Sequence, residues 1–377
     1  MNIVVDSALL VEALEDASKA ISAKSIMPIL GCFLIEANQE GLTVTGTDDR
    51  ATIQSYIFEE HVQIERDGKI VLPKLFLEML KKINGEVRIE SKDGMNVIIT
   101  SRNKEIEMAG LDPEEFPSPP TIIENEHIEI TGKDLKGLFK KVVFAANIDG
   151  KDMPIITGAN VYLKDGKVGM QATNRHRLSK TEKEIVSGEF GNAVIEARGL
   201  VELQKIITDK DNVEFGFSKS DDGQVVYAFA RTERFTFYSR VLEGVYPDTQ
   251  RMSAVPEGIT KVEVNKQEFL DSIELIYTLA KEEKSNMIRL DIAEKEVSIR
   301  GKGKQTGKAS ESIVPINFTG QNFIISLNAK YAMDALKALD GERVMLIFSG
   351  KMQPIFFLSR EDKQSVHVVL PYRTVDS

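Results

Sequence analysis

Apolar positions along the chain alternate between two periods. At Asn2-Ile3-Val4-Val5, Ile128-Glu129-Ile130-Thr131 and Val262-Glu263-Val264-Asn265 the period is two, as in a strand with one buried face. After each strand the period lengthens to that of an amphipathic helix. The apolar stripes are Leu9, Leu10, Leu14 and Ala17, then Leu135, Leu138, Phe139, Val142 and Val143, then Phe269, Leu270, Ile273 and Ile276. In the first two segments Met27-Pro28-Ile29 and Met153-Pro154-Ile155 then begin hairpins, which turn at Gln39-Glu40-Gly41 and Lys164-Asp165-Gly166. The third segment has the alternating run Met287–Leu290 in that place.

A second half follows in each segment on the same plan. Strands at Ile70-Val71-Leu72, Ala193-Val194-Ile195 and Phe323-Ile324-Ile325 precede helices predicted over Leu75–Ile83, Leu200–Ile207 and Ala329–Leu339. Alternating strands return at Glu86–Ile89, Val213–Gly216 and Arg343–Leu346. The interval of about 125–135 residues is that of a domain, far longer than a solenoid turn. The pattern therefore predicts an α+β chain of three similar domains, residues 1–125, 126–253 and 254–377, each a pair of strand–helix–hairpin halves. Short polar or proline-containing segments, Pro117–Pro120 and Thr249–Pro256, read as linkers of defined geometry.

Composition narrows the function classes. The net charge of −10 argues against a surface that binds nucleic acid all over, but leaves room for a local basic patch. Cys32 is the lone cysteine, so a disulfide framework or cysteine-rich metal site is excluded, and its apolar setting predicts a buried thiol. No apolar run approaches the length of a membrane span, and no cationic segment followed by an apolar stretch opens the chain, so a cytosolic protein is expected.

Catalytic motifs are scarce. The run from Gly301 to Lys308 mimics a phosphate loop, but its glycine spacing is wrong and Ala309 follows the lysine where Ser or Thr is needed. A basic hairpin or loop is the expectation there. His61, His127, His176 and His367 show no metal-ligand spacing. No catalytic residue, metal or cofactor is assigned.

Basic residues are more ordered than the net charge suggests. Lys133, Lys136, Lys140 and Lys141 share the helix face opposite the leucine stripe. Lys74, Lys81 and Lys82, Arg198 with Lys205, and Lys330 with Lys337 recur on later helices. Placed on one wall, they would make a positive lining. Glu12, Glu15, Asp16, Glu268, Asp271 and Glu274 oppose it on the first helices of domains one and three.

Several short motifs carry a family resemblance. Thr173-Asn174-Arg175-His176-Arg177-Leu178 resembles the Thr-Asp-x-His-Arg-Leu signature of the bacterial DNA polymerase III beta subunits, the sliding clamps. Met27-Pro28-Ile29-Leu30, Thr45-Gly46-Thr47-Asp48, Tyr246-Pro247-Asp248 and the tail Val369–Thr374 are similar to family motifs in the same order. Asn174 and Arg175 depart from the usual Asp and small residue, which bears on partner preference more than on fold.

The resemblance implies a head-to-tail homodimeric ring of six clamp domains, helices inside and sheets outside, that slides on duplex DNA without sequence specificity. It implies a non-catalytic processivity factor, cytoplasmic and nucleoid-associated, with the polymerase alpha subunit, the clamp loader and other clamp-binding proteins as partners. Lys24, Lys136, Lys140, Lys141 and Arg198 would touch phosphates. Lys74, Ile106, Met108, Ile273, Tyr277 and Leu279 would form the dimer interface. A partner peptide would dock among Ile156, Thr173, Arg175, His176, Arg177, Leu178, Pro247, Met252, Met352, Pro354, Val368, Leu370, Pro371, Tyr372 and Arg373. Arg177 and the tail backbone would hydrogen-bond its main chain. Two alternatives stay open. One is a divergent second clamp copy, or a ring-fold binding protein that is not loaded. The other is an enzyme acting through Arg177 or His176 on a nucleotide-like ligand.

Overall fold

The computed structural model describes every residue except 22–26, 49, 93–94, 122–123, 151–152, 186–187, 189–190, 221 and 374–377. The chain forms two compact units, Met1–Lys133 with Val186–Val241, and Asp134–Ile185 with Leu242–Ser377. The central repeat is thus shared, its first hairpin half with the third repeat and its second with the first.

In the first unit, the strands Val62–Arg66, Asn2–Asp6, Glu86–Ser91, Asn96–Ser101 and Lys104–Ala109 lie side by side in that order. A larger sheet runs Glu124–Thr131, Asn212–Lys219, Val225–Arg231, Phe235–Arg240, Ala51–Phe58, Gly41–Thr47, Cys32–Asn38 and Gly68–Pro73. Neighbours are antiparallel throughout. Phe235–Ser239 pairs with Ser55–Ala51, so the first and second repeats are joined by a hydrogen-bonded ladder as well as a linker.

Helices Ser7–Ala17 and Leu75–Leu80 turn Leu10, Leu14, Phe76, Leu77 and Leu80 into a core shared with Ile3, Phe33, Ile35 and Ile89. Each such side chain stabilises the fold by roughly 1.5–3 kcal/mol. Asp6 caps the first helix by accepting from the Ala8 N–H at 2.8 Å. The second helix ends three residues before the predicted Ile83, because Lys82 and Ile83 donate to carbonyls only three residues back and tighten the last turn. Gly46 lets the sheet approach the end of the first helix, where an added Cβ would lie 2.2 Å from the Ala17 carbonyl oxygen.

In the second unit, Gly158–Lys164, Lys167–Thr173, Arg177–Glu184, Ser365–Val369, Ile355–Leu358, Arg343–Phe348, Thr260–Asn265 and Asn317–Gly320 form an antiparallel run. Lys308–Ile313, Val297–Lys302, Met287–Ile292 and Phe323–Asn328 form a four-stranded sheet. Helices Lys266–Ala280 and Ala329–Ala338 bury Phe269, Ile273, Ile276, Met333 and Leu336 in its core. The joint between the second and third repeats is again a ladder, Arg177–Thr181 against Val369–Ser365.

The Met-Pro-Ile segments open single 3₁₀ turns, Pro28–Gly31 and Pro154–Thr157, with the hairpins starting directly after them. Proline fits the first turn position because its missing N–H would find no partner there. Asp165 and Gly166, with φ of 51° and 70°, make the two-residue turn that matches strand twist. The Gly301–Lys308 run is the tip of a hairpin in which Lys302 faces Lys308. Cys32 is buried, as expected.

His367 sits inside the joining ladder opposite Ser179, whose hydroxyl lies 2.5 Å from Nδ1. Burial pushes its pKa down to about 4; Asp362 opposes this and Lys141 adds to it. The unfolded chain therefore takes up the proton first as pH falls. Stability contributed by neutral His367 is complete above about pH 6.5 and is lost progressively toward pH 4, by about 3 kcal/mol. Urea unfolding of wild type and His367→Gln at pH 7 and 4.5 checks this: the variant's stability should fall less over that interval.

Candidate partner and nucleic-acid surfaces

The signature segment is a hairpin turn held by its own side chains. The Thr173 hydroxyl donates to the Arg177 carbonyl at 2.6 Å and accepts from the Arg175 N–H at 3.1 Å. The Asn174 carboxamide oxygen accepts from the N–H groups of His176 and Arg177 at 3.1 and 3.0 Å. Asp could do the same, but Asn also donates through Nδ2 to the Tyr331 hydroxyl at 3.2 Å. An Asp oxygen in that place could accept from the same hydroxyl, so Asn174 reverses the donor and removes a charge while keeping the contact to the third repeat's helix.

Strand alternation then splits Arg177 from Leu178. The Arg177 guanidinium donates to Asp334 at 2.6 Å and to the Phe144 carbonyl, and its Cζ lies 4.5 Å from the Tyr331 ring centroid and 5.2 Å from that of Phe144. Its side chain is only 9% exposed. Arg177 is thus an internal fastener, which corrects the expectation that it meets a peptide main chain. The same device recurs in the first unit, where Arg234 follows the Thr232 turn. Its guanidinium donates to the Ile206 carbonyl at 3.0 Å and reaches Asp211, Asp16 and Glu12 at 3.3–3.4 Å.

The tail is strapped down through Tyr372. Leu370 N–H donates to the His176 carbonyl at 2.9 Å and Tyr372 N–H to Ser326 at 2.7 Å. The Tyr372 hydroxyl donates to the Ser285 carbonyl at 2.7 Å and accepts from Asn328. Pro371 between them has no N–H, so this stretch keeps no main-chain donor for an incoming peptide. The expected main-chain hydrogen bonds from this stretch are thereby narrowed to its carbonyl oxygens as acceptors.

Of the expected peptide contacts, His176, Arg177, Leu370, Pro371, Tyr372 and Arg373 line one cleft of about 960 Å³. The sequence reading missed its other walls, among them Phe144, Asn147, Tyr331 and Asp334. Asn328, three residues before Tyr331, was a legible helix cap, since its side chain accepts from the Tyr331 N–H. Leu178 and Val368 face away and join Ile347 and Phe356 in a small apolar cluster, flanked by half-buried Met345, Leu358 and Val366. The short helix Gln250–Ser253 packs on these strands and exposes Met252. Ile156 and Thr173 are buried, Arg175 and Met352 are exposed, and Pro247 and Pro354 are half-buried; none of these lines the cleft.

The basic residues divide. Lys24 lies outside the described residues. Lys140 and Arg198 are exposed and Lys136 is half-buried. Lys141 is 16% exposed and pairs with Asp340 at 2.7 Å and Asp362 at 2.8 Å. Burial works against its charge, but these hydrogen bonds hold its pKa above the usual value. Lys141 is a fastener between second and third repeats, so the phosphate contact expected of it is withdrawn. The acidic first helices consume other lysines: Glu15 pairs with Lys81 at 2.9 Å and Glu274 with Lys337 at 2.7 Å.

Of the residues expected at a dimer interface, Ile106 and Met108 lie on Lys104–Ala109, an edge strand of its sheet. Lys74 is exposed, and Tyr277 and Leu279 are half-buried. Ile273 is fully buried in its own core and has no surface to offer, which removes it from the interface. Among the described residues no cluster of three or more His, Cys, Asp or Glu could hold a metal, and no helix is long and apolar enough to cross a membrane.

Arg175 has φ of 74°, a left-handed conformation in which a Cβ is unfavourable. Arg175→Gly should therefore raise stability by about 0.5–1 kcal/mol, part of the relief being offset by glycine's greater unfolded entropy. Thermal unfolding of the pair of proteins reads this directly.

Three families describe the chain end to end: DNA polymerase III beta subunit N-terminal domain at residues 1–120, central domain at 129–248 and C-terminal domain at 252–373. A beta sliding clamp of Bacillus subtilis is 34% identical over 385 aligned positions, covering 99% of this chain and 100% of the relative. One of Staphylococcus epidermidis is 32% identical, covering 97% of each. Among solved structures, a Bacillus subtilis DNA polymerase sliding clamp superposes with a TM-score of 0.92 at 32% identity, over 99% of both chains. A beta subunit from the DNA polymerase of Streptococcus pyogenes also reaches 0.92, at 26% identity. With three clamp domains in order and relatives matched over their whole length, the chain belongs to the DNA polymerase III beta subunit family, the beta sliding clamps.

Proposed function

We propose that this protein is a polymerase processivity factor, and the observation that carries the reading is the full-length match to beta sliding clamps. Two copies close head to tail into a ring of six domains, bounded near residues 1–125, 126–253 and 254–377, with helices toward the DNA and sheets outside. The ring is a non-catalytic cytoplasmic accessory factor that tethers the polymerase III alpha subunit, the clamp loader and other clamp-binding proteins. Topology retains it on duplex, so phosphate contacts need only be weak, non-specific and salt-dependent. Lys136, Lys140 and Arg198, with Lys24, supply them. Lys141 does not.

The partner peptide, a glutamine followed by aliphatic and aromatic residues, lies against the outer apolar face. Half-buried Met345, Leu358 and Val366, backed by buried Leu178 and Val368, form its floor, and exposed Met252 an adaptable wall. Burying two anchors at roughly 1.5–3 kcal/mol each, less the cost of ordering the peptide, suits an affinity near micromolar, about −8 kcal/mol.

Two outcomes test the reading. Clamp loaded on a nicked circle should survive gel filtration and be released once the circle is linearised, with Lys140→Ala leaving retention on the circle unchanged and weakening the salt-dependent affinity of unloaded clamp for duplex equally on all sequences. Equal retention on linear DNA would overturn the ring. Met252→Glu should weaken binding of a labelled clamp-motif peptide about tenfold, as seen by fluorescence anisotropy, while the particle stays at twice 42.0 kDa. Unchanged peptide affinity would move the pocket elsewhere.

A further inference from the structure

The half-buried apolar row of the third repeat does not stop at Met345. That residue stands opposite Leu358 on one side and opposite Glu263 on the other, and Glu263 in turn stands opposite Asn317. Val262 and Val264 point into the core, so Glu263 projects onto the same face as Met345. A carboxylate on that face would ordinarily sit in water, yet Glu263 is only 2% exposed. Asn317 donates to its Oε2 at 2.6 Å, and the Arg360 Nε lies 3.2 Å from Oε1. No well-aligned hydrogen bond reaches Oε1 among the described residues, so the Arg360 charge is what compensates it.

Arg360 comes to this carboxylate from a distance. It lies two residues past Leu358, in the loop between Ile355–Leu358 and Ser365–Val369, while Glu263 is two strands away, about 10 Å. Its side chain therefore crosses the strand that carries Met345. Only its Nε end is occupied. The side chain stays 61% exposed, and the pair with Glu263 is its one ion pair among the described residues. Neighbouring charges do not cancel it. The Glu361 carboxylate turns back to accept from the Ser359 hydroxyl at 2.8 Å. Lys261, two residues before Glu263 on the same face, has no ion pair among the described residues.

We infer that Arg360 is a specificity residue of the partner site: Glu263 pins its Nε, so that both Nη groups stand at the end of the apolar row and take a carboxylate of the docked segment in a forked contact. This rests on the peptide floor proposed above and names what selects among segments that fit it. The occupant is a segment with an Asp or Glu flanking its aliphatic and aromatic anchors. The guanidinium suits the task because its two ends are separate, one anchoring while the other recognises. A lysine ammonium would be a single point charge already committed to Glu263. Burial of Glu263 matters too, since an ion held against a covered partner keeps a fixed geometry that a mobile surface arginine lacks.

Fluorescence anisotropy on the full chain, at low ionic strength, tests this with labelled clamp-motif peptides. Each carries two glutamates or two glutamines, placed before the motif in one pair and after it in the other. Wild type should bind the glutamate peptide of one pair about fivefold tighter than its glutamine twin, and the preference should shrink as salt rises. Arg360→Gln alone would strand the buried carboxylate, so it is combined with Glu263→Gln, which removes both charges. In that double variant the preference should fall to about one while the glutamine peptides keep their wild-type affinity. Arg360→Lys should lose most of the preference as well. Equal binding of the twins of both pairs by wild type, or an undiminished preference in the double variant, overturns the role of Arg360 and leaves the floor standing. If Met252→Glu weakens neither glutamine peptide, the floor itself is misplaced and the role of Arg360 falls with it.

Discussion

Main-chain hydrogen bonding across the seams between repeats is the constraint on which the rest of each unit depends. An unpaired sheet edge leaves a row of main-chain donors and acceptors open, and here the seams between repeats are closed by ladders: Phe235–Ser239 on Ala51–Ser55 in one unit, Arg177–Thr181 on Ser365–Val369 in the other. A ladder fixes register to the residue, because a slip of one would turn every buried side chain outward. The seams therefore set where each hairpin turn lies, and the turns carry the arginines that lock them. Arg177 and Arg234 occupy matching places, each donating to the carbonyl at the end of a second-repeat helix and pairing with an acid on the neighbouring repeat.

Charge in this protein is spent locally before any remains for a partner. Lys141 and Arg177 are nearly buried, and their carboxylate partners make them fasteners. Breaking one such pair would leave its partner buried and unpaired, which is why these contacts matter more than the exposed Glu15–Lys81 and Glu274–Lys337 pairs. The lysines that remain exposed on the second repeat's first helix are few. In the ring proposed above, a chain of net charge −10 needs only loose contact with DNA, because closure would supply the retention.

Alternation along a strand also separates two surfaces that the linear sequence runs together. Consecutive residues Arg177 and Leu178 serve opposite faces, one a polar cleft bounded by the strapped tail, the other an apolar floor. A single signature of six residues thus contributes to a seam on one side and to an apolar cluster on the other.

The sequence by itself determined the repeat, the order of strands and helices, the hairpin turns and the family, because periodicity and turn chemistry are local and because motifs such as Thr173–Leu178 keep their order. Asp165-Gly166 and the Met-Pro-Ile segments could be placed from neighbours alone. What it could not settle is which of two like residues is used for what. Lys140 and Lys141 are adjacent and chemically identical, yet one is exposed and the other is held by Asp340 and Asp362, about 200 residues away in sequence. Ile273 and Tyr277 lie one helical turn apart, and only packing shows the first to be core and the second half-exposed. Those distinctions depend on contacts between distant segments, made only when the sheets pair, so tertiary structure alone decided them.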